Sequence, residues 1–223
     1  LEQIDIVHRM VQRWPETFEL ALTADAAERA FKRGKIGSMI GMEGGHAIDS
    51  SMATLRQMYA LGARYMTLTH SQNVPWADAA TDQPRHQGLS PFGEEVVREM
   101  NRLGMLVDLS HVSPDTMTDA IAVSEAPVIF SHSSARALCD VPRNVPDEVL
   151  AMLPKNGGVV MVTFVPGFIS QEVADWSLKR AAQLQLLRAQ YPSSQAYVDA
   201  GLERWTVENP EPRATLAQVA DHI

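Results

Sequence analysis

Residues 104–123 have the sequence GMLVDLSHVSPDTMTDAIAV and carry the clearest structural signal in the chain. The run from Met105 to Leu109 is apolar and has the length of a buried strand. Ser113 follows as a helix N-cap with Pro114 in the first turn, and helical spacing continues to Val123. An apolar strand followed by a capped helix is a βα unit, the repeating element of parallel α/β folds.

The same alternation extends in both directions along the chain, with no long polar linker between the repeats. Further strands are predicted at Ile36 to Met42, Ala63 to Leu68, Pro127 to Phe130 and Gly158 to Phe164. Helices are predicted at Ser50 to Leu61, Pro91 to Leu103, Gln171 to Gln190 and Ala214 to Ile223. Near-continuous apolar strands indicate a parallel sheet covered on both faces. Five strands do not close an eight-stranded barrel, so the chain forms either an open sheet or a piece of a longer barrel.

Composition excludes several classes of protein. With 223 residues, 45% of them hydrophobic, the chain suffices for one large globular core, and a single domain over residues 1–223 is expected. A formal net charge of -8, spread along the sequence, argues against a nucleic-acid partner. No apolar run has the length of a membrane span, and Glu2 and Asp5 stand where a signal peptide would be basic and then apolar.

Cys139 is the single cysteine, so a disulfide within the chain and a cysteine metal cluster are both excluded. We expect this thiol to be a buried structural residue. Any transition metal would therefore be bound by histidine and carboxylate side chains.

Polar side chains follow four successive predicted strands. Glu43, His70, Asp108 with His111, and His132 each stand at or just beyond the end of a strand. In a parallel α/β fold these ends share one edge, where active groups gather. A lone histidine or glutamate there is often only structural, but five such residues at four successive strand ends favour a hydrolytic metal site. The polar loop from His70 to Ser90 is long enough to suggest a functional role.

Six segments together resemble the membrane dipeptidases, also called renal dipeptidases, which are zinc metallopeptidases of the amidohydrolase-like type. The resemblance runs from Leu1 to Ile223. The segments are GMEGGH at 41–46, LTHS at 68–71 with PWAD at 75–78, GLSPFG at 88–93, VDLSHVS at 107–113, FSHSS at 130–134 and RNVPD at 143–147. Each is weak alone, but all six occur in order within the βα frame.

The resemblance implies a (β/α)8 TIM-type barrel of the metal-dependent hydrolase class, with two zinc ions in the complete enzyme. Glu43 would bridge both ions, and His111 and His132 would complete the ligands of one. His70 would contact the scissile carbonyl or the oxyanion, and Arg143 would bind and orient the substrate. The implied reaction is hydrolysis of the peptide bond of a dipeptide by a metal-bridging hydroxide, and the implied assembly includes a homodimer.

Three departures from the family pattern lead to further expectations. The His-x-Asp pair of the first family strand and the proton-transferring aspartate of the last strand have no counterpart here, so we expect a fragment that lacks the first and last strands. Such a fragment, taken alone, would be inactive. Gln171 also stands where extracellular relatives have the disulfide partner of Cys139, which favours a bacterial protein without a membrane anchor.

Two other functions stay open at this stage. The same metal site could act on another small amide, such as a lactam or an acylated amino acid, because barrel enzymes change specificity through their loops. Alternatively, the barrel fragment could be a non-catalytic binding module, which would need no stoichiometric zinc.

Overall fold

The structure, a computed structural model, describes residues 1–223 and alternates strands with helices over most of its length. The strands are β1 (Phe18–Leu20), β2 (Ile36–Ser38), β3 (Ile40–Glu43), β4 (Ala63–Thr67), β5 (Leu106–Asp108), β6 (Ile129–Ser133) and β7 (Val159–Val162). The helices are α1 (Glu2–Arg13), α2 (Ala24–Lys32), α3 (Met52–Ala60), α4 (Pro91–Leu103), α5 (Pro114–Val123), α6 (Asp147–Leu150), α7 (Leu153–Asn156), α8 (Pro166–Ile169), α9 (Gln171–Gln190), α10 (Gln195–Glu208) and α11 (Leu216–Asp221), and a 3-10 helix covers Gly45–Ile48.

The chain divides into two compact units. The first comprises Leu1–Ser131 and Glu148–Val159, and the second comprises His132–Asp147 and Val160–Ile223. One boundary between them falls inside β6, between Ser131 and His132.

Five strands form the main sheet, in the order β3-β4-β5-β6-β7. Parallel pairing joins β3 to β4, β4 to β5 and β5 to β6, which confirms the predicted parallel α/β fold. Glu43 pairs with Thr67, and Thr67 pairs with Asp108, so the carboxyl ends of β3, β4 and β5 lie level with one another. The register of this sheet therefore brings the candidate residues to one edge.

The prediction of one continuous strand from Ile36 to Met42 was wrong, because this segment forms two strands. Ile36–Ser38 pairs with β1 in a separate two-stranded sheet, whereas Ile40–Glu43 pairs with β4. Met39 lies between them and is exposed. The sequence of a continuous run of strand-forming residues does not show where its hydrogen-bonding partner strand changes. Strand β1 has only three residues, which is too short to be predicted from sequence.

Helix α4 occupies the residues predicted for it because both of its ends are encoded locally. The Ser90 hydroxyl accepts a hydrogen bond from the Gly93 backbone N–H, Pro91 occupies the first turn, and Gly104 ends the helix in a left-handed conformation. Helix α5 begins in the same way, with the Ser113 hydroxyl accepting from the Thr116 N–H. Its start at Pro114 agrees with the predicted N-cap.

The core of the first unit lies around the central strands. Met66 and Leu68 on or beside β4, Val107 and Leu109 on or beside β5, and Phe130 on β6 are all buried. The three central strands β4, β5 and β6 are thus buried at these apolar positions, as expected for parallel strands covered by helices, whereas Val159 and Met161 on β7 are exposed. Polar side chains concentrate where these strands end.

The C-terminal part of the second unit is helical. Helix α9 covers the predicted range, α11 is shorter than predicted, and α10 was not predicted. Trp176 contacts Trp205 with ring centroids 6.0 Å apart, which joins α9 to α10. None of the helices is both long and apolar enough to cross a lipid bilayer.

Candidate metal site at the strand ends

Glu43 is the last residue of β3 and is followed by Gly44, whose φ of 112° is readily adopted only by glycine. The chain turns away from the sheet at this point and enters the 3-10 helix. The Glu43 side chain remains 55% exposed. Its carboxylate is therefore presented to solvent at the sheet edge.

Two imidazoles approach the same oxygen of Glu43. His111 Nε2 lies 3.2 Å from Glu43 Oε1, and His70 Nε2 lies 3.9 Å from it. The two histidine rings contact each other, with centroids 4.4 Å apart. The side chain of His111 is 11% exposed and that of His70 is 46% exposed, so His111 is the enclosed partner and His70 faces solvent.

His111 is held by its backbone as well as by its ring. Its φ of 71° lies in the left-handed region, which is uncommon for a residue with a side chain. The His111 carbonyl accepts hydrogen bonds from the Ala80 N–H at 2.7 Å and the Thr69 hydroxyl at 3.3 Å. A strained conformation that neighbouring residues hold in place is typical of functional positions.

His132 lies on β6, directly after Ser131. One ligand atom each from Glu43, His111 and His132 lie within 4.8 Å of one another, so the three side chains form a group able to hold a metal ion. Two atoms bound to a tetrahedral zinc at about 2.1 Å are about 3.4 Å apart, close to the 3.2 Å between His111 Nε2 and Glu43 Oε1. One carboxylate and two imidazoles are also a donor set that suits zinc.

Asp108 lies at the end of β5 but differs from Glu43 in that it is completely buried. Its Oδ1 accepts hydrogen bonds from the backbone N–H groups of Ser110 at 3.1 Å and Ser131 at 2.9 Å. Its Oδ2 accepts from the hydroxyls of Thr67 at 2.6 Å and Ser131 at 2.5 Å. The carboxylate therefore contacts neighbouring strands and not the solvent.

Tyr65 is a neighbour of the site that sequence reasoning missed. It pairs with Gly41, one layer below the pair formed by Glu43 and Thr67. A side chain at Gly41 would overlap the Tyr65 ring. Burial raises the pKa of the Tyr65 hydroxyl, and the charges of Asp108 and Glu43 raise it further. The sequence feature that could have indicated Tyr65 is Gly41, which lies two residues before Glu43 on the same strand. A glycine there leaves room for a large side chain on the neighbouring strand.

The loop after β4 is held by the acidic side chain of Asp78. Asp78 is fully buried and accepts hydrogen bonds from the backbone N–H groups of Arg85 at 3.0 Å, His86 at 2.9 Å and Gly88 at 3.3 Å. Burial by itself would raise the pKa of Asp78, but these backbone donors outweigh it and hold the pKa below its ordinary value. The loop is thus closed around one carboxylate.

Arg143 lies in the second unit and is buried. Its guanidinium carbon is 5.1 Å from the centroid of the Phe168 ring. The neighbouring Asn144 fixes this loop, because its side chain accepts from the Ser134 N–H at 3.1 Å and donates to the carbonyls of Cys139 and Phe168 at 2.8 Å and 2.9 Å. Arg143 is thus a buried cation, and the side-chain amide of Asn144 holds the loop that carries it.

Cys139 is buried and free, as expected, and burial is the main factor that raises the pKa of its thiol. The next residue, Asp140, donates its N–H to the side-chain oxygen of Gln171 at 2.7 Å. A hydrogen bond thus joins these two segments at the position where the family resemblance would place a disulfide.

Two histidines that lie away from the strand ends contact backbone groups of segments distant in sequence. His8 Nε2 lies 2.9 Å from the Leu61 carbonyl, and His222 Nδ1 accepts from the Ala135 N–H at 3.1 Å.

Comparison with known proteins identifies the family. Residues 1–223 match the sequence model of the membrane dipeptidases, peptidase family M19. The chain belongs to this family. Because members of this family are metallopeptidases, the match agrees with the presence of a group, Glu43, His111 and His132, that could hold a metal ion.

Relatives of this M19 chain include an uncharacterised dipeptidase of Schizosaccharomyces pombe, which is 53% identical over 171 residues. That alignment covers 76% of this chain and 42% of the yeast protein. The chain thus spans less than half the length of this curated relative.

Two crystal structures share the fold of this M19 chain. The probable dipeptidase PvdM from Pseudomonas aeruginosa has a TM-score of 0.82 at 25% identity, covering 98% of this chain and 61% of PvdM. A metallopeptidase from Rhodobacter sphaeroides, bound to a phosphinate mimic of the dipeptide L-Ala-D-Ala, has a TM-score of 0.70 at 26% identity, covering 75% of this chain and 49% of that protein.

Proposed function

We propose that the protein is a zinc-dependent dipeptidase. The observation that carries the proposal is the group formed by Glu43, His111 and His132 at the ends of adjacent strands, in a chain that matches the M19 family along its whole length. Serine or cysteine nucleophiles are not needed for hydrolysis at such a site.

Glu43, His111 and His132 would hold the metal. Zinc, when bound there, would lower the pKa of a coordinated water towards neutrality, which is the chemistry that peptide hydrolysis without a protein nucleophile requires. Glu43 has a second carboxylate oxygen with which it can contact a second ion, as the family resemblance implies. The group formed by Glu43, His111 and His132 would hold one zinc, and the family resemblance implies a second zinc ion for which Glu43 would be a shared ligand.

His70 would contact the substrate carbonyl. Its ring contacts that of His111 in a tilted arrangement, and its Nε2 is 3.9 Å from the Glu43 carboxylate, yet almost half of its side chain is exposed. A half-exposed imidazole beside the ligand group can donate a hydrogen bond to oxygen that becomes negatively charged in the transition state.

Arg143 would bind the free carboxylate of the dipeptide. A guanidinium forms two parallel hydrogen bonds with a carboxylate, a geometry that selects a terminal carboxyl group. Enclosure of Arg143 beside the Phe168 ring reduces its contact with water and strengthens such a pair. Specificity for dipeptides requires recognition of a carboxylate one residue away from the scissile bond.

The test is a hydrolysis assay of the full-length protein on three groups of compounds. These are dipeptides with an L-residue at the C-terminal side, dipeptides with a D-residue there, and N-acyl amino acids, each measured before and after removal of metal and again after zinc is restored. The L-Ala-D-Ala mimic bound by the Rhodobacter relative is the reason to include the D-series.

We expect zinc-dependent cleavage of dipeptides, with acyl amino acids cleaved at least 100-fold more slowly. Cleavage of acyl amino acids or lactams in preference to dipeptides would replace the substrate assignment and retain the metal site. Full activity after complete metal removal would reject the proposal. Assembly as a homodimer stays a prediction, to be checked by light scattering on the active fraction.

A further inference from the structure

Asp108 joins the carboxyl ends of three strands through a single carboxylate. The side chain belongs to β5, it accepts from the Thr67 hydroxyl on β4, and it accepts from both the N–H and the hydroxyl of Ser131 on β6. A fourth hydrogen bond comes from the Ser110 N–H. All four distances lie between 2.5 and 3.1 Å.

Each of these contacts lies close in sequence to a candidate site residue. Thr67 precedes His70 by three residues, Asp108 precedes His111 by three, and Ser131 directly precedes His132. Movement of any one strand end relative to the others would therefore move an imidazole. The backbone pairing of β5 with β6 is short, since the register joins only Asp108 and Ile129. The side-chain hydrogen bonds of Asp108 therefore add to a short ladder at this place.

The same hydrogen bonds argue against a direct role in metal binding. An ionised carboxylate offers about four acceptor positions, two on each oxygen. Asp108 uses two on Oδ1 for backbone N–H groups and two on Oδ2 for hydroxyls. It is also fully buried, whereas the Glu43 carboxylate faces solvent.

We propose that Asp108 is a positioning residue that fixes the spacing of the strand ends carrying His111 and His132, and thereby sets the zinc affinity and geometry of the site. This inference rests on the proposed zinc site. Groups that orient metal ligands from behind typically change metal affinity by about 10- to 100-fold when they are removed.

Asparagine at this position distinguishes the hydrogen-bonding role of Asp108 from its charge. In Asp108→Asn the amide oxygen can still accept from the two backbone N–H groups. The amide NH2 can donate to the Thr67 and Ser131 hydroxyls, because a hydroxyl is an acceptor as well as a donor. The four-bonded arrangement can therefore survive without the negative charge, whereas Asp108→Ala loses all four bonds.

The experiment compares wild type, Asp108→Asn and Asp108→Ala by zinc competition with a chromophoric chelator and by the visible spectrum of the cobalt-substituted protein. We expect Asp108→Ala to weaken zinc binding by about 10- to 100-fold and to change the cobalt spectrum. Asp108→Asn should recover most of the affinity and the wild-type spectrum. Circular dichroism would verify that the variants are folded.

Should Asp108→Ala fail to fold, Ser131→Ala and Thr67→Val each remove one hydroxyl donor and leave the carboxylate in place. Each should weaken zinc binding by several-fold and shift the cobalt spectrum. Wild-type affinity and an unchanged spectrum in folded Asp108→Ala, or in both substitute variants, would overturn the positioning role alone. A wild-type protein that binds neither zinc nor cobalt would instead overturn the proposed function, and this inference with it.

Discussion

Glu43 is the last residue of β3 and Asp78 lies in the loop after β4, and the surroundings of these two carboxylates are opposite. Glu43 is more than half exposed and faces two imidazoles. Asp78 is buried and its oxygens accept three backbone N–H groups of its own loop. The groups that contact a carboxylate, and not its nearness to the end of a strand, therefore determine whether it can bind a ligand.

A further contrast concerns the cost of removing each carboxylate. Loss of Glu43 removes a carboxylate that is more than half exposed, whereas loss of Asp78 leaves one buried and two part-buried backbone N–H groups without their acceptor. Substitution at Glu43 should therefore affect metal binding, and substitution at Asp78 should affect folding.

The largest expected effect is that of Glu43→Gln on zinc affinity. Replacement of a carboxylate ligand by a neutral amide should weaken zinc binding by at least about 1,000-fold, equivalent to about 4 kcal/mol. Calorimetric titration measures this, with Glu95→Gln as the matched control because Glu95 is an exposed residue of α4. Wild-type affinity in Glu43→Gln, or equal losses in both variants, would contradict the assignment of Glu43.

Asp78→Ala should have the next largest effect, on stability. One buried and two part-buried N–H groups would lose their acceptor. Each loss in a buried place costs roughly 1–3 kcal/mol and access of water to the part-buried groups reduces the sum, so we expect about 2–4 kcal/mol of destabilisation. Urea unfolding measures it, and Asp199→Ala on the exposed face of α10 provides the control. A loss equal to that of the control would show that Asp78 does not hold the loop.

Gly41→Ala should be destabilising by about 1–3 kcal/mol, because the new methyl group overlaps the Tyr65 ring and the strand must shift to accommodate it. The matched control is Gly37→Ala, where the new methyl group would lie 3.5 Å from the side chains of Ala21 and Ala30, an ordinary packing distance. Thermal unfolding compares the two variants. Equal melting temperatures would mean that Tyr65 moves aside without cost.

The smallest expected effect is the pH dependence that Asp78 contributes. Its pKa is lower in the folded protein than in the unfolded chain, so its stabilisation is complete above the unfolded value of about 4 and is lost as the pH falls through the folded value. Between pH 5 and pH 3, wild type should lose more unfolding free energy than Asp78→Asn. Parallel pH profiles for the two proteins would show that Asp78 does not contribute to the pH dependence of stability.

The strand ends could be predicted from sequence because their signals are local. Apolar runs give the strands, Ser90 and Ser113 give the helix starts, and the residues after each strand follow from those positions. The family resemblance assigned roles to Glu43 and His111, and the structure brings these two side chains together. The strand positions and the helix starts could therefore be predicted without knowledge of long-range contacts.

Other features depend on partners distant in sequence and could not be predicted. The break between β2 and β3 depends on pairing with β1, and the burial of Asp108 depends on donors from β4 and β6. The loop centred on Asp78 forms through backbone groups, which carry no sequence signature. Prediction thus succeeded for positions along the chain and failed where hydrogen-bonding partners decide the outcome.

The proposed zinc site is tested directly by crystallography, with an anomalous difference map of the zinc-loaded protein recorded at the zinc absorption edge. We expect a peak about 2.0–2.2 Å from the Glu43 carboxylate and from ring nitrogens of His111 and His132, and none beside Asp78 or Asp108. A zinc peak bound elsewhere, with the Glu43, His111 and His132 group empty, would contradict it.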